Sequence, residues 1–324
     1  MKLYPLRFTP ISKYRIWGGN KLNTVLNKGF EGEMIGESWE ISNVEGDETV
    51  VSNGSLQGKT LQDLSQEFKG KLLGEKVYAT FGDDFPLLIK FIDAEKPLSI
   101  QVHPHDDVAK ERHNSFGKNE MWYIMDADAD AEIIVGFNQE LTREEYLSHL
   151  ENNTVLDVLN TVNTKAGDAF NIPTGRVHAI GAGVLLAEIQ QTSDVTYRIF
   201  DYNRVDVKTG QERELHNDLA LDVIDFNVQE SYTTPYETQE NEASKLIHTP
   251  YFTTNILDVR SKIEKNYSSI DSFVILICVE GELSITSEAE IYVLKKGETI
   301  LLPSILNEIE YTTESNAKFL EVYL

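Results

Sequence analysis

Over most of this chain apolar and polar residues alternate in short runs, and helical spacing is confined to a few stretches. Up to about residue 58 the pattern is strands and turns. Ser38-Trp39-Glu40-Ile41 alternates as a strand, among the turn signals Gly18-Gly19-Asn20, Gly46-Asp47 and Asn53-Gly54. From Thr60 to about Leu73 the apolar residues Leu61, Leu64, Phe68 and Leu72 recur at helical spacing, and Thr60 with Asp63 forms a short version of a capping box. Strands are predicted from Leu87 to about Phe137. A second helix is predicted from Thr142 to about Val162, opened by the capping pair Thr142 and Glu145 and carrying Tyr146, Leu150, Leu156 and Leu159. Strands resume from Ala169 to about Ile199. The polar stretch 205–246 includes a helix near His216–Ile224 and a low-hydrophobicity connection over Glu230–Glu242, whose acidic part, Glu237–Glu242, reads as a solvated linker. The remainder reads as a further all-β unit.

Many short strands punctuated by Gly and Pro, with few helices, predict a mainly β protein built of antiparallel barrels or sandwiches. A boundary near 242 divides it into 1–242, with helical insertions near 60–75 and 142–162, and 243–324. The two parts share a phrase. Gly167-Asp168-Ala169-Phe170-Asn171-Ile172-Pro173 is echoed by Gly297-Glu298-Thr299-Ile300-Leu301-Leu302-Pro303. The first copy runs on to Gly175 and His178; the second has no histidine. A pair of barrels with a metal in only the first would have this appearance.

Composition narrows the partners. A 41% apolar and 25% charged make-up is that of an ordinary globular protein, and the net charge of −24 disfavours nucleic acid and anionic membrane surfaces. It also makes any local cluster of Lys and Arg informative. The single cysteine, Cys278, lies in the apolar run 273–279, which reads as a core thiol. No apolar run approaches membrane-spanning length and the start lacks a signal-peptide pattern, so a cytoplasmic location is expected.

The chemistry concentrates in Ser99-Ile100-Gln101-Val102-His103. On a strand, side chains alternate faces, so Ser99, Gln101 and His103 share one face while Leu98, Ile100 and Val102 take the other. Glu120 and His178 can complete a set of two nitrogen and two oxygen ligands, which suits Zn²⁺ or another divalent first-row metal. Lys90 stands in Leu88-Ile89-Lys90-Phe91-Ile92, a run otherwise fit for complete burial, and a charge there needs a reason. Asp194, Thr196 and Arg198 alternate along one face of 192–199, where Arg198 could pair with Asp194.

Glycine-x5-proline-x-glycine-x2-histidine, Gly167 to His178, resembles the second signature of the cupin jelly roll. More specifically, Leu98–Pro104, Lys118-Asn119-Glu120-Met121-Trp122-Tyr123 and Gly175–Ala179 resemble type I phosphomannose isomerases. So do Tyr14–Gly19 and Gln190–Arg204, and the order is the same over the first two-thirds of the chain. The resemblance implies two cupin-like jelly-roll barrels and a zinc-dependent isomerase acting on a phosphorylated hexose, mannose 6-phosphate to fructose 6-phosphate. It implies one zinc per chain on Gln101, His103, Glu120 and His178, with Arg198 as the active-site arginine that stabilises an anionic enediolate.

Lys118, beside the metal, reads either as a proton carrier with a lowered pKa or as a solvated loop lysine. Lys90, Ser99 and Arg204 are the expected phosphate ligands, with Asp194 and Trp17 completing the substrate-binding set. Arg204 as a surface residue and Trp17 as a strand anchor are the plainer alternatives. His105 and His113, in a predicted polar loop, and His149, His216 and His248 are left out of the site. Two other functions compete: an iron- or manganese-dependent cupin oxygenase, which has no use for Lys90 and Arg204, and a sugar-phosphate-binding cupin without turnover, which does not need both a metal set and Arg198.

Overall fold

A computed structural model of the chain describes residues 2–324. The first barrel is two antiparallel sheets face to face. One has six strands, in spatial order Ala169–Ile172, Glu120–Ala127, Val184–Gln191, Leu87–Ala94, Ile11–Gly19 and Ile35–Ile41. The other has five, in the order Tyr197–Phe200, Ile100–Val102, His178–Ile180, Glu132–Phe137 and Leu159–Asn163. Two-residue alternation decides what each strand faces. In Glu120–Ala127, Trp122 and Ile124 point into the barrel with Ile16, Trp17, Ile92, Ile133 and Ile180. Met121, Tyr123 and Met125 point out, onto a second apolar layer shared with Ile275, Ile277, Leu320 and Val322 of the C-terminal barrel. Leu87–Ala94 is buried on both faces, because the C-terminal barrel covers its outer side.

The C-terminal barrel is a sheet in the order Ala243–His248, Thr253–Val259, Ala317–Tyr323, Val274–Ser287, Glu308–Thr312 and Ile263–Asn266. Glu290–Lys295 and Thr299–Leu302 also pair with the long strand Val274–Ser287. The echoed phrases occupy equivalent places. Gly167 donates its N–H to the Ile124 carbonyl at 2.8 Å, and Ile124 donates to Asp168 at 2.9 Å. Gly297 donates to Cys278 at 2.8 Å, and Cys278 donates to Glu298 at 3.0 Å. Both glycines have left-handed backbone, φ 95° and 83°, which a side chain would strain. In the same register Ile172 faces Glu120, and Leu302 faces Val274. An apolar Val274 thus stands in the second barrel where the first has the buried carboxylate.

The C-terminal sheet starts with Ala243–His248, preceded by a bridge from Glu240 to Asp258, and the core runs across both barrels. Leu6 and Leu301 exchange backbone hydrogen bonds of 2.8 and 2.9 Å, and one apolar cluster runs from Leu3 to Val322. Both capping boxes form, at Thr60–Asp63 and Thr142–Glu145. The helices they open are shorter than the spacing predicts. The first stops at Phe68, where Lys69 adopts a left-handed φ of 52°, and short helices follow at Gly70–Leu73 and Glu75–Phe81. The second stops at Glu151, because Asn153 takes φ 56°; residues Leu159–Asn163 then join a sheet edge. Asp106–His113 is a helix where a polar loop was expected, with acids in its first turn and bases in its last, as the helix dipole favours. Tyr232 is buried, and Thr234 donates to the Ala169 carbonyl at 2.8 Å. The connection to the second barrel is therefore tied down before its acidic part.

Candidate active site

A cleft of about 520 Å³ opens into the first barrel, a volume ordinary for a small-molecule site. At its inner end the strands bring four expected ligands together. His178 faces Gln101 across one strand pair, and Gln101 faces Arg198 across the next. Glu120 starts the facing strand Glu120–Ala127. The ligand atoms of His103, Glu120 and His178 all lie within 4.8 Å of one another, in fully buried surroundings. Glu120 Oε2 is 3.5 Å from His103 Nε2, and Oε1 is 3.4 Å from His178 Nε2. Tetrahedral ligands at zinc bond lengths would sit roughly 3.4 Å apart. The Gln101 amide nitrogen lies 3.3 Å from His178 Nε2, and turning the amide over presents its oxygen there.

These residues fit a metal on three counts. His103 Nδ1 donates to the Val195 carbonyl at 3.0 Å and His178 Nδ1 to the Arg176 carbonyl at 2.8 Å, which leaves both Nε2 lone pairs free. Burial keeps both imidazoles neutral, His178 down at about 3 and His103 well below its usual value. Both Glu120 oxygens are buried with no hydrogen-bond donor, although Lys118 Nζ lies 3.2 Å from Oε2. Burial first, and then nearby Glu188, push Glu120 up to about 8 in the metal-free arrangement. A dication would satisfy both oxygens, which the single Lys118 ammonium does not.

Lys118 precedes the strand but still reaches the centre, with Nζ 3.1 Å from His103 Nε2. Burial alone would lower its pKa; Glu120 and Glu188 outweigh that and hold it above the usual value. The lowering expected beside a dication belongs to the metal-loaded protein. Leu98 does not share the face of Ile100 and Val102. The strand begins only at Ile100, so Leu98 turns into the cleft beside Trp17. Ser99, Asp194, Thr196 and Arg198 also line the cleft.

Arg198 departs from expectation in its partners. It makes no ion pair with Asp194; Nε donates to Ser99 Oγ at 3.3 Å and Nη1 to the Glu214 carbonyl at 2.8 Å. Its guanidinium therefore faces the cleft without a bound carboxylate. Two of the expected phosphate ligands are otherwise engaged. Lys90 lines the cleft floor, but Nζ contacts Glu188 Oε1 at 3.1 Å and Gln190 Oε1 at 2.7 Å, so its charge is already matched. Arg204 does not line the cleft, because it is held by Asp201 and the Pro97 carbonyl.

The floor shows what sequence reasoning missed. Trp122, Glu188, Lys90 and Trp39 lie opposite one another on four neighbouring strands. Trp122 Nε1 donates to Glu188 at 2.9 Å, Lys90 sits 5.1 Å from the Trp39 ring centre, and Trp39 Nε1 donates to Glu37 at 2.7 Å. Glu37 takes a two-pronged bond from Arg15, at 2.9 and 2.8 Å. Trp122 in turn packs edge-on against His178, ring centres 5.3 Å apart. Glu188 was detectable by the reasoning applied to Lys90, as a lone charge in the apolar run 184–189. Arg213, also on the cleft wall, carried no signal in the polar segment 205–216.

Comparison with known proteins agrees with this geometry. Residues 6–143 match the model for the phosphomannose isomerase type I catalytic domain, and residues 242–324 match the mannose-6-phosphate isomerase cupin domain. Mannose-6-phosphate isomerase ManA of Bacillus subtilis is 37% identical over 313 residues, 96% of each chain. This chain belongs to the type I phosphomannose isomerase family. A mannose-6-phosphate isomerase of Streptococcus mutans is 33% identical over 298 residues, 92% of each chain. The crystal structure of the mannose 6-phosphate isomerase from Bacillus subtilis superposes with a TM-score of 0.90 at 30% identity, covering 99% of this chain and 100% of that one. Membership of the family accounts for the paired barrels, the second without a metal set, and for the buried His103–Glu120–His178 group. Among the described residues no helix is long and apolar enough to cross a membrane.

Proposed function

We propose that this chain interconverts mannose 6-phosphate and fructose 6-phosphate with one Zn²⁺, as a cytoplasmic enzyme. The single observation that carries the reading is the buried Glu120 carboxyl group between two neutral imidazoles, directly behind Gln101 and Lys118, which line the open cleft. Gln101, His103, Glu120 and His178 hold the ion. When bound, it polarises the sugar's carbonyl and hydroxyl oxygens, and a ligand set with only one carboxylate leaves it net positive.

The chain's own residues do the rest. Lys118, touching both His103 and Glu120, passes a proton between C2 and C1 through a cis-enediol. Arg198, with no carboxylate of its own, lies one strand from Gln101 and stabilises the negative charge that develops on the enediolate. Ser99 orients that guanidinium, and Trp17 and Asp194 bound the sugar. The test is fructose 6-phosphate formation by the protein as purified, after chelation, and after Zn²⁺ is returned. Activity lost and then restored supports the assignment. No turnover by protein carrying a full equivalent of zinc rejects it in favour of a binding cupin.

A further inference from the structure

Most cations near the cleft are already matched one to one: Lys90 by Glu188, Arg15 by Glu37 and Lys118 by Glu120. One group is not. Arg198, Arg204 and Arg213 gather around a single carboxylate, Asp201. Asp201 accepts Arg213 Nε at 2.8 Å and Nη2 at 2.5 Å, and it also accepts Arg204 Nη2. Arg204 spends its other nitrogens on the Asp201 carbonyl at 3.2 Å and the Pro97 carbonyl at 2.5 Å. Arg213 keeps Nη1 uncommitted, and Arg198 keeps Nη2. These two line the cleft. The remaining acids of its wall, Asp194 and Asp206, form no ion pair with either. In a chain of net charge −24, three guanidiniums around one carboxylate make a concentrated positive surplus.

Position separates the two arginines. Going outward from His178, the strands bring Gln101 and then Arg198. Next comes the segment after Arg213: His216 donates its N–H to the Arg198 carbonyl at 2.7 Å, and the Arg198 N–H reaches His216 Nδ1 at 3.1 Å. Two inter-strand steps put that segment about 10 Å from Gln101. That is comparable to the reach of a six-carbon sugar from its reacting end to its phosphate.

We propose that Arg213 is the phosphate anchor of this cleft, with the sugar's reacting carbons at Arg198 and the metal ligands. The proposal rests on the phosphohexose reading above and names the residue that fixes the substrate's far end. Asp201 holds the guanidinium plane in place, and the free Nη1 edge gives a charge-assisted bond to a phosphate oxygen.

The experiment is a calorimetric titration of inorganic phosphate into metal-free wild type, R213Q, R213K and R204Q, with steady-state kinetics on the zinc-loaded forms. R213Q should weaken phosphate binding about tenfold and raise KM for mannose 6-phosphate by a similar factor, with kcat within about twofold. R204Q should leave both affinity and KM unchanged. R213K keeps a charge for Asp201 but loses the planar fork; it should lose affinity to a smaller degree, and it carries the test if R213Q does not fold. Wild-type phosphate affinity in the Arg213 variants, or an equal loss in R204Q, overturns the proposal. If phosphate affinity depends on Arg213 but zinc-loaded protein turns nothing over, the isomerase reading fails and the anion anchor stands. If the protein isomerises and R213Q leaves KM unchanged, the anchor fails and the isomerase stands.

Discussion

Lys90 and Glu188 offer the sharpest test of the cleft floor. Both side chains are buried, 6% and 4% exposed, and they meet at 3.1 Å. Removing one partner of a buried ion pair leaves the other charge unmatched in a medium that solvates it poorly, at a cost of about 3–5 kcal/mol. Lys90→Met leaves Glu188 with Trp122 as its donor; Glu188→Gln leaves Lys90 with amide dipoles in place of a charge. Each single variant should fall in that range, while Lys90→Met/Glu188→Gln removes both charges and should lie within about 1 kcal/mol of wild type. The coupling energy in this cycle should be at least about 5 kcal/mol. For 324 residues, an unfolding entropy of about 2.1 cal/mol/K per residue gives about 0.7 kcal/mol per degree, so each single variant should melt about 4–7 °C lower. Scanning calorimetry on metal-free protein, with urea midpoints as a second probe, measures this. Single losses below about 1 kcal/mol, or strictly additive ones, would show that the Lys90 charge is not held by Glu188 and would return it to the pool of phosphate ligands.

Other measurements follow from the same contacts. Glu120→Ala or His178→Ala should lower zinc affinity at least about 100-fold, more than loss of a supporting outer residue costs; stoichiometric zinc after dialysis against a weak chelator would contradict the ligand set. Glu37 is buried, which alone would push its pKa up, but Arg15 and Lys90 hold it down to about 2, below the usual 4.5. Its depressed pKa contributes stability above pH 4.5 that is lost as the pH falls from there toward 2, worth about 3 kcal/mol in full; Glu37→Gln should flatten the acid limb of a stability-against-pH curve. Burial pushes the Cys278 thiol up to about 12, so a disulfide reagent at pH 8 should label the protein only at the rate of unfolding; rapid labelling of the folded protein would place Cys278 at the surface.

Features that depend on neighbours along the chain were legible in the order of the amino acids. Two-residue alternation put Gln101 opposite Ile100 and Val102 within their strand, and His103, one residue past its end, still joins Glu120 and His178. The paired capping residues at 60–63 and 142–145 started helices where the spacing said they would, since the cap satisfies its N–H groups locally. The Gly167 and Gly297 phrases announced two equivalent turns because each needs a left-handed residue at the same place in the register. The family resemblance could propose a candidate metal set for the same reason: Gln101, His103, Glu120 and His178 stand inside short contiguous phrases.

How charges are matched across the sheets was not legible along the chain, because it depends on pairing between distant strands. Lys90 finds Glu188 98 residues away, and Arg15 finds Glu37 across a strand pair, so neither partnership is visible as spacing along a helix or strand. Arg204 and Arg213 look alike in sequence. One is consumed by Asp201 and the Pro97 carbonyl; the other keeps a free nitrogen at the cleft. The second predicted helix ends at Glu151, and Leu159–Asn163 instead pairs with Glu132–Phe137, a partner distant along the chain that helical spacing does not reveal. Local geometry fixes which way a side chain points; whether its charge is free to meet a substrate depends on which carboxylate the fold brings within hydrogen-bond reach of it.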